Sequence, residues 1–465
     1  MTTALSETLV DPAVPGAAPA RMVLDERTRR LLERPVLPTL VRLAAPNVFE
    51  AAARIAFITA DAFFVAWLGN DVLAGVSVVF PLLTLMQTIT AAGLGAGVAA
   101  SVGVALGAGD RERARSLAGT AMGLALAGAA LSSVILVLAG PSLYRAMGLS
   151  GAALAAASEY GAIVFGGCVT VWLMNTLANI SRGAGNMLIP ASAILIGEVF
   201  HLLLSPALIV GWGPFPRMGV AGAGVAVLAA YGVGALVIGS YLVSRRALVR
   251  LDGRHLRIRR VEAAAILRIG LLASGAMVVF QASAFLVTGL VGRLGSEAIA
   301  AYGAASRLEL LQAPVTFAFA SAVITMVATA IGAGDRRRAR QAALTGMAVA
   351  AAIGVVFSAV AFRGEMWMAI FTSDPAIAAQ GALYLLCLAP LFPIIGAGIA
   401  AYFATQAIGE VARPFACIAL RFVIAVVGGL VGLSLYPGVL SIYLASALAA
   451  LVSSLGLIAV ALRRF

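Results

Sequence analysis

Apolar residues in this chain run in blocks too long for a soluble fold. Stretches of about twenty Ala, Leu, Val, Ile and Gly residues recur from residue 40 to the end, parted by short polar segments. About twenty residues of α-helix cross the hydrocarbon core of a bilayer, so each block predicts a transmembrane helix. Twelve fit, at 40–68, 72–106, 116–140, 157–181, 188–212, 218–244, 263–292, 297–331, 342–366, 379–406, 414–435 and 438–462. The blocks are continuous, whereas membrane strands alternate over about ten residues. The second and eighth are longer than a bilayer needs and must tilt or protrude.

The polar punctuation repeats. "GAGDRERARSLAGTAM" at 107–122 returns as "GAGDRRRARQAALTGM" at 332–347. "WLGNDVLAGV" matches "RLGSEAIAAY", "LVRLAAP" (40–46) matches "ILRIGLL" (266–272), and "SRGAGNMLIP" (181–190) matches "TQAIGEVARP" (405–414). All four pairs hold at a spacing of 224–226 residues. Six spans per repeat is even, so both halves enter the membrane from the same side. Parallel repeats of this kind build two bundles around a central cleft, with sites near the midplane. The expected organisation is a disordered cytoplasmic tail (1–38), an N-terminal six-helix lobe (39–244), an Arg-rich cytoplasmic linker (245–262) and a C-terminal six-helix lobe (263–465). The fold class is all-α integral membrane.

Composition agrees, with 62% hydrophobic and 11% charged residues and a mean hydropathy of +1.03. Gly reaches 50, as expected where membrane helices pack through small residues. The net charge of +12 comes from 32 basic residues, every one an arginine. Twenty-five fall on the side of the predicted termini and four on the other. That is a topology signal, not a nucleic-acid footprint, and it places both termini in the cytoplasm. The expected location is the inner (plasma) membrane. Cys168, Cys387 and Cys417 lie inside apolar spans and suggest no disulfide framework or zinc site. The N-terminal stretch lacks the apolar region of a signal peptide.

Several motifs together carry a family resemblance. They are "ADAFFVAWLGNDVLAGVSVVFPL" (60–82), "LGAGDRERA" (106–114), "RGAGNMLIP" (182–190), "GVAGAGVAVL" (219–228) and "EAIAAYGAASRLE" (297–309). In order, spacing and duplication they resemble the multidrug and toxic compound extrusion (MATE) family, and its DinF-like branch most. The resemblance implies two six-helix lobes around a cleft. It also implies a secondary antiporter that exports cationic or amphipathic organic molecules in exchange for H⁺ or Na⁺.

Ionisable residues inside spans are costly and are functional candidates by default. In the first span Glu50, Arg54 and Asp61 share one helix face, since eleven residues at about 100° each return within about 20°. Glu50 and Arg54, at i and i+4, can simply neutralise one another. Asp61 resembles the family's first-helix aspartate in "DxxFVxxLG", which implies a cation- or proton-binding carboxylate. In the fifth span Glu198, His201 and Ser205 share a face, and Pro206 removes a backbone donor. The family's cation-site branch carries Asn-x-x-x-Asp-Pro there; here the two positions read His201 and Ser205, with an acid one turn away at Glu198. The helix rise places Arg54 and Glu198 at a common depth of about 21 Å, so the two can pair. His201 titrates near neutrality unaided, although a packed, hydrogen-bonded imidazole is the plain alternative.

Asp61, Glu198 and His201 are therefore the candidate coupling residues. Glu50, Arg54, Asn175, Asn179 and Ser205 form a candidate supporting network, and Pro46 and Pro206 are candidate hinges. In the C-terminal lobe Gln281, Arg307 and Glu309 are candidates for gating or substrate contact. Arg307 and Glu309 need separate partners, being two residues apart; Arg421 has none visible. The expected function is H⁺-coupled export by alternating access, with Na⁺ as the other candidate ion. The expected partners are a small organic substrate and membrane lipids, with no nucleic acid, no cofactor and no metal, in a monomer. A lipid-linked oligosaccharide flippase of the same superfamily is the alternative. No enzyme motif appears, and no phosphate-binding loop that would supply ATP drive.

Overall fold

The computed structural model describes residues 24–253 and 257–465, with the side chains of 55–62 excepted. Every regular element among them is helical. A short helix α1 (Glu26–Glu33) precedes α2 (Val36–Ala66), and α3 (Asn70–Thr88) continues through a π-helical turn (Ile89–Leu94) into α4 (Gly95–Gly107). The first half then holds α5 (Arg111–Ala146), α6 (Gly151–Gly166), α7 (Val169–Gly183), α8 (Leu188–Val210) and α9 (Val220–Val243). The second holds α10 (Arg260–Gly292), α11 (Ser296–Gly332), α12 (Arg336–Ala361), α13 (Gly364–Met368), α14 (Pro375–Leu388), α15 (Phe392–Ala407), α16 (Ala412–Leu435) and α17 (Val439–Arg464).

Ten spans among the described residues are long and apolar enough to cross a membrane. The pair α6–α7, bent by 46°, makes an eleventh. Its break falls at Gly166–Gly167, where two glycines remove side-chain support from the helix. With α2, the predicted twelve are accounted for, and most boundaries agree within a turn or two.

The tail reading needs correction. Residues 26–33 are ordered as α1, with the Asp25 carboxylate accepting from the Arg27 amide at 3.0 Å as an N-cap. Thr28 and Leu31 turn inward while Arg29, Arg30 and Glu33 face out. The density of charge hides this amphipathic pattern in the sequence. Residues 1–23 lie outside the described part of the chain. The predicted linker also shortens, because α10 begins at Arg260. Neither predicted hinge breaks its helix: α2 runs on through Pro46 and α8 through Pro206.

The sequence repeat has a local structural cause. Gly109 and Gly334 both take φ +75°, ending α4 and α11 in the left-handed conformation that favours glycine. Asp110 and Asp335 then cap the next helices, each accepting the amide three residues on at 2.8 Å. "GAGD" is thus a stop signal followed by a start signal, used twice.

The lobes meet asymmetrically. At the end carrying the Arg-rich loops they share one hydrophobic core, in which Leu40 and Ala100 of the first lobe join Val327, Ala328 and Phe403 of the second. At the opposite end each lobe keeps a separate core, around Tyr144, Tyr160 and Phe165 in one and Tyr384, Phe392 and Tyr443 in the other. The described interlobe hydrogen bonds follow the same bias. Ser116 and Thr120 on α5 donate to Glu262 on α10 at 2.7 and 2.8 Å, Thr325 donates to the Arg182 carbonyl at 3.0 Å, and Asn47 to Ser321 at 2.8 Å. From α12, Arg338 donates to the carbonyls of Leu31 (2.9 Å) and Arg34, so α1 straps the two lobes together. The molecule is closed at its Arg-rich end.

Candidate functional site

A cavity of about 520 Å³ lies between the lobes, walled by α2, α3 with its π turn, α4, α6, α7, α8 and α9 on one side and by α11 and α15 on the other. Glu50 is its electrostatic centre and is 9% exposed. One carboxylate oxygen receives Arg54 Nη2 at 3.3 Å, the expected i, i+4 partner. The other receives Arg182 Nη2 at 3.5 Å, from the last turn of α7. Arg54 also reaches the Tyr231 hydroxyl on α9, and the charge of Glu198 acts on both. Glu198 is half-buried and His201, one turn further along α8, is buried; both line the cavity.

The structure therefore gathers four predicted residues, Glu50, Arg54, Glu198 and His201, at one cavity. The charge of Glu198 does act on Arg54, but the nearest described carboxylate to Arg54 is its helix neighbour Glu50. Asp61 falls in α2, and its side chain lies outside the described residues. Ser205 is fully buried away from the lining, and its Oγ has no hydrogen-bond partner among the described residues.

Asn175 and Asn179 have a definite local task. Asn175 Nδ2 donates to Thr90 Oγ1 at 2.7 Å, and Asn179 Nδ2 donates to the carbonyls of Ala91 at 3.2 Å and Asn175 at 2.8 Å. Thr90 and Ala91 belong to the π turn, where the regular helical ladder is displaced. Asn179 thus donates to a backbone carbonyl of this helix irregularity on the cavity wall, and Asn175 holds the Thr90 side chain beside it. Gly95 leaves room for them, since a Cβ there would lie 2.2 Å from Asn179 Nδ2.

The C-terminal candidates sit elsewhere. Gln281, Arg307 and Glu309 do not line the cavity; the second lobe contributes Pro314, Phe317, Ala318, Ser321, Ile324 and Phe403 instead. Arg307 stacks over Phe371 at 5.1 Å. Glu309 is held near Tyr384 and Arg421, and Arg421 stacks over Phe280 at 4.9 Å. Arg307 and Glu309 do find separate partners, as their spacing requires, and Arg421 gains the partners its sequence context hid.

Sequence reasoning missed Arg182 and Tyr231. Arg182 sits at a span end, where an arginine looks like a topology signal, and it is the packing of α7 against α4 and α9 that sets it within reach of Glu50. Tyr231 lies in a uniformly apolar span and carries no periodic signal. With Arg182 included, two guanidiniums face two carboxylates in the described lining. Protonating either carboxylate removes a partner from at least one guanidinium, so a proton can rewire the site. No three His, Cys, Asp or Glu side chains come together as a metal site among the described residues.

The MatE family model matches residues 46–207 and 273–431. The FAD transporter of Shewanella oneidensis is 26% identical over 393 residues, 84% of this chain and 86% of its own length. The probable multidrug resistance protein NorM of Thermotoga maritima is 26% identical over 343 residues, 73% of each chain. Among solved structures, a MOP superfamily transporter from Pyrococcus furiosus covers 95% of this chain and 98% of its own at 23% identity, with a TM-score of 0.86. A MATE structure in the bent conformation reaches a TM-score of 0.87 at the same identity and coverage.

Proposed function

Because the chain belongs to the MatE family, a multi-pass secondary transporter family and not an enzyme family, we propose that it is an H⁺-coupled antiporter. It exports amphipathic organic molecules across the plasma membrane by alternating access. The observation that carries this reading is the convergence of Glu50, Arg54, Arg182, Glu198, His201 and Tyr231 on one interlobe cavity. Charged groups at membrane depth are retained where they bind ions or substrate. The excess of arginine at the closed end supports a cytoplasmic setting for that end, and on this reading the closed state described above is the outward-facing one.

In this state protons from outside load Asp61, helped by the Glu198 and His201 pair. Loading weakens the carboxylate hold on Arg54, the α2–α8 face repacks, and substrate leaves. Return of the lobes to the inward state exposes the carboxylates to a more alkaline side and releases the protons. Coupling requires proton and substrate to favour different states. Proteoliposomes with an imposed ΔpH against an imposed ΔpNa test the ion directly, and transport is expected only with ΔpH. Asp61→Asn should abolish it at normal expression. Glu198→Gln should lower ΔpH-driven transport on the order of tenfold, within the usual range of coupling energies. Full ΔpH-driven export by Asp61→Asn would rule out this assignment.

The substrate class is open to the same assay. Aromatic walls from Phe80, Tyr160, Tyr231, Phe317 and Phe403 suit a planar apolar body. The balance of two arginines and two glutamates does not select for a cation alone, and a relative is named as an FAD transporter. A lipid-linked oligosaccharide flippase remains the second reading, favoured by Arg182, which adds a second guanidinium to the lining. A cationic dye, FAD and a lipid-linked pyrophosphate as competing cargoes separate the three.

A further inference from the structure

A second concavity of about 520 Å³ lies at the closed, Arg-rich end, apart from the transport cavity. Three segments distant in sequence build it. Arg27 comes from α1, Arg111 and Arg115 from the start of α5, and Arg245, Arg246 and Arg250 from the turn after α9. Arg30 also lines it, but is paired with Glu26 on its own helix. The lining carboxylates are Asp25 and Glu26, and Asp25 is engaged as the α1 cap and with Arg111 at 3.7 Å. Arg245, Arg246 and Arg250 are exposed and take part in no ion pair among the described residues. Nε of Arg115 is buried with no hydrogen-bond partner among them.

A topology signal needs arginines near span ends but does not need them turned into one basin. Arg30, Arg111 and Arg115 are paired with Glu26, Asp25 and Glu112. That leaves Arg27, Arg245, Arg246 and Arg250 lining the basin in no ion pair among the described residues, and these four repel one another unless an anion enters. Planar guanidinium forks match phosphate oxygens bidentately. The residues flank the ends of α5 and α9, which is the level of the lipid headgroups in a spanning bundle, and basic pockets at such sites hold phosphate headgroups. We propose that this basin binds a phosphate-bearing anion, either an anionic phospholipid headgroup or a soluble phosphate ester.

The test uses the purified full-length protein in neutral detergent. Thermal stabilisation is titrated with phosphatidylglycerol micelles, with phosphatidylcholine micelles as the neutral reference, and separately with inorganic pyrophosphate. The wild type is expected to be stabilised by at least one anionic probe and not by phosphatidylcholine. Arg111→Gln/Arg246→Gln should weaken the apparent affinity about thirty-fold, at the worth of two arginines near an anionic surface. Arg336→Gln/Arg337→Gln, which removes the same charge from exposed positions outside the basin, should leave the titration unchanged. If the double variant does not fold, Arg246→Gln alone, an exposed residue in no described ion pair, should still weaken binding several-fold. Stabilisation by phosphatidylglycerol only assigns a lipid headgroup; stabilisation by pyrophosphate as well assigns a soluble phosphate group. No anionic stabilisation of the wild type, or equal losses in both double variants, would overturn the proposal.

Discussion

Glu50→Leu is expected to abolish transport and to destabilise the protein by about 3–5 kcal/mol, the usual cost of leaving a buried ionic partner uncompensated. Two guanidiniums depend on this one carboxylate, Arg54 at 3.3 Å and Arg182 at 3.5 Å. The two arginine side chains are 33% and 14% exposed and the glutamate 11%, so bulk water cannot replace the lost charge for Arg182. Arg54 retains Glu198 and the Tyr231 hydroxyl nearby and should lose less. A second substitution, Arg182→Met, is expected to restore much of the stability of Glu50→Leu, because it removes the stranded charge. Thermal unfolding of the two single variants and the double variant in detergent measures this coupling. Additive effects would show that the Arg182–Glu50 pair carries no interaction worth the name.

The second large effect is expected at Gly107 and Gly332. A Cβ on Gly107 would lie 2.0 Å from the Thr329 carbonyl oxygen, and one on Gly332 would lie 2.0 Å from that of Val104. Both obstacles are backbone, so a side chain cannot be accommodated by a rotamer change. Each substitution forces α4 and α11 apart where the lobes close. Gly332→Val should therefore stop transport while leaving each lobe folded. Ala328, 0% exposed in the closed state, reports the opening. An Ala328→Cys substitution should resist a membrane-impermeant maleimide by itself and become labelled when Gly332→Val is added. Gly303, beside which a Cβ would meet open space, serves as the control, and Gly303→Ala should change neither readout. Unaltered transport by Gly332→Val would mean that this contact does not close the molecule.

The fold was legible because a bilayer imposes strong rules on a sequence. Apolar length gives the spans, and a repeat with an even number of spans gives the lobes. The site was legible in part for the same reason: a charge inside an apolar run stands out, so Glu50, Arg54, Glu198 and His201 could be selected, and they do meet. Arg182 could not, because its position at a span end already had an explanation. Tyr231 could not, because a tyrosine in an apolar span raises no alarm. The order in α1 was hidden by its own arginines and glutamates, which resemble those of a solvated tail when the docking surface is not known. In the second lobe, the spacing of Arg307 and Glu309 correctly required separate partners. Which partners, and their distance from the cavity, depended on the packing of α10, α14 and α16.

The π turn at Ile89–Leu94 explains a detail of the repeat. The spacing between matching residues is 226 at Gly69 and Gly295 but 225 at Gly107 and Gly332. One surplus residue must therefore sit between them in the first repeat. The continuous span there has 38 residues against 37 in its counterpart α11. A single extra residue in a helix is absorbed as one wide turn, and Asn175 and Asn179 bond to groups within it. At the spacing of 226, Thr88, the residue just before this turn, corresponds in α11 to Pro314, which interrupts the ladder by lacking an amide donor. The two halves thus carry a fault at the same point along the same helix, one made by insertion and the other by proline. Both faults front the cavity. What the halves have in common there is not a residue or a length but a point of weakness.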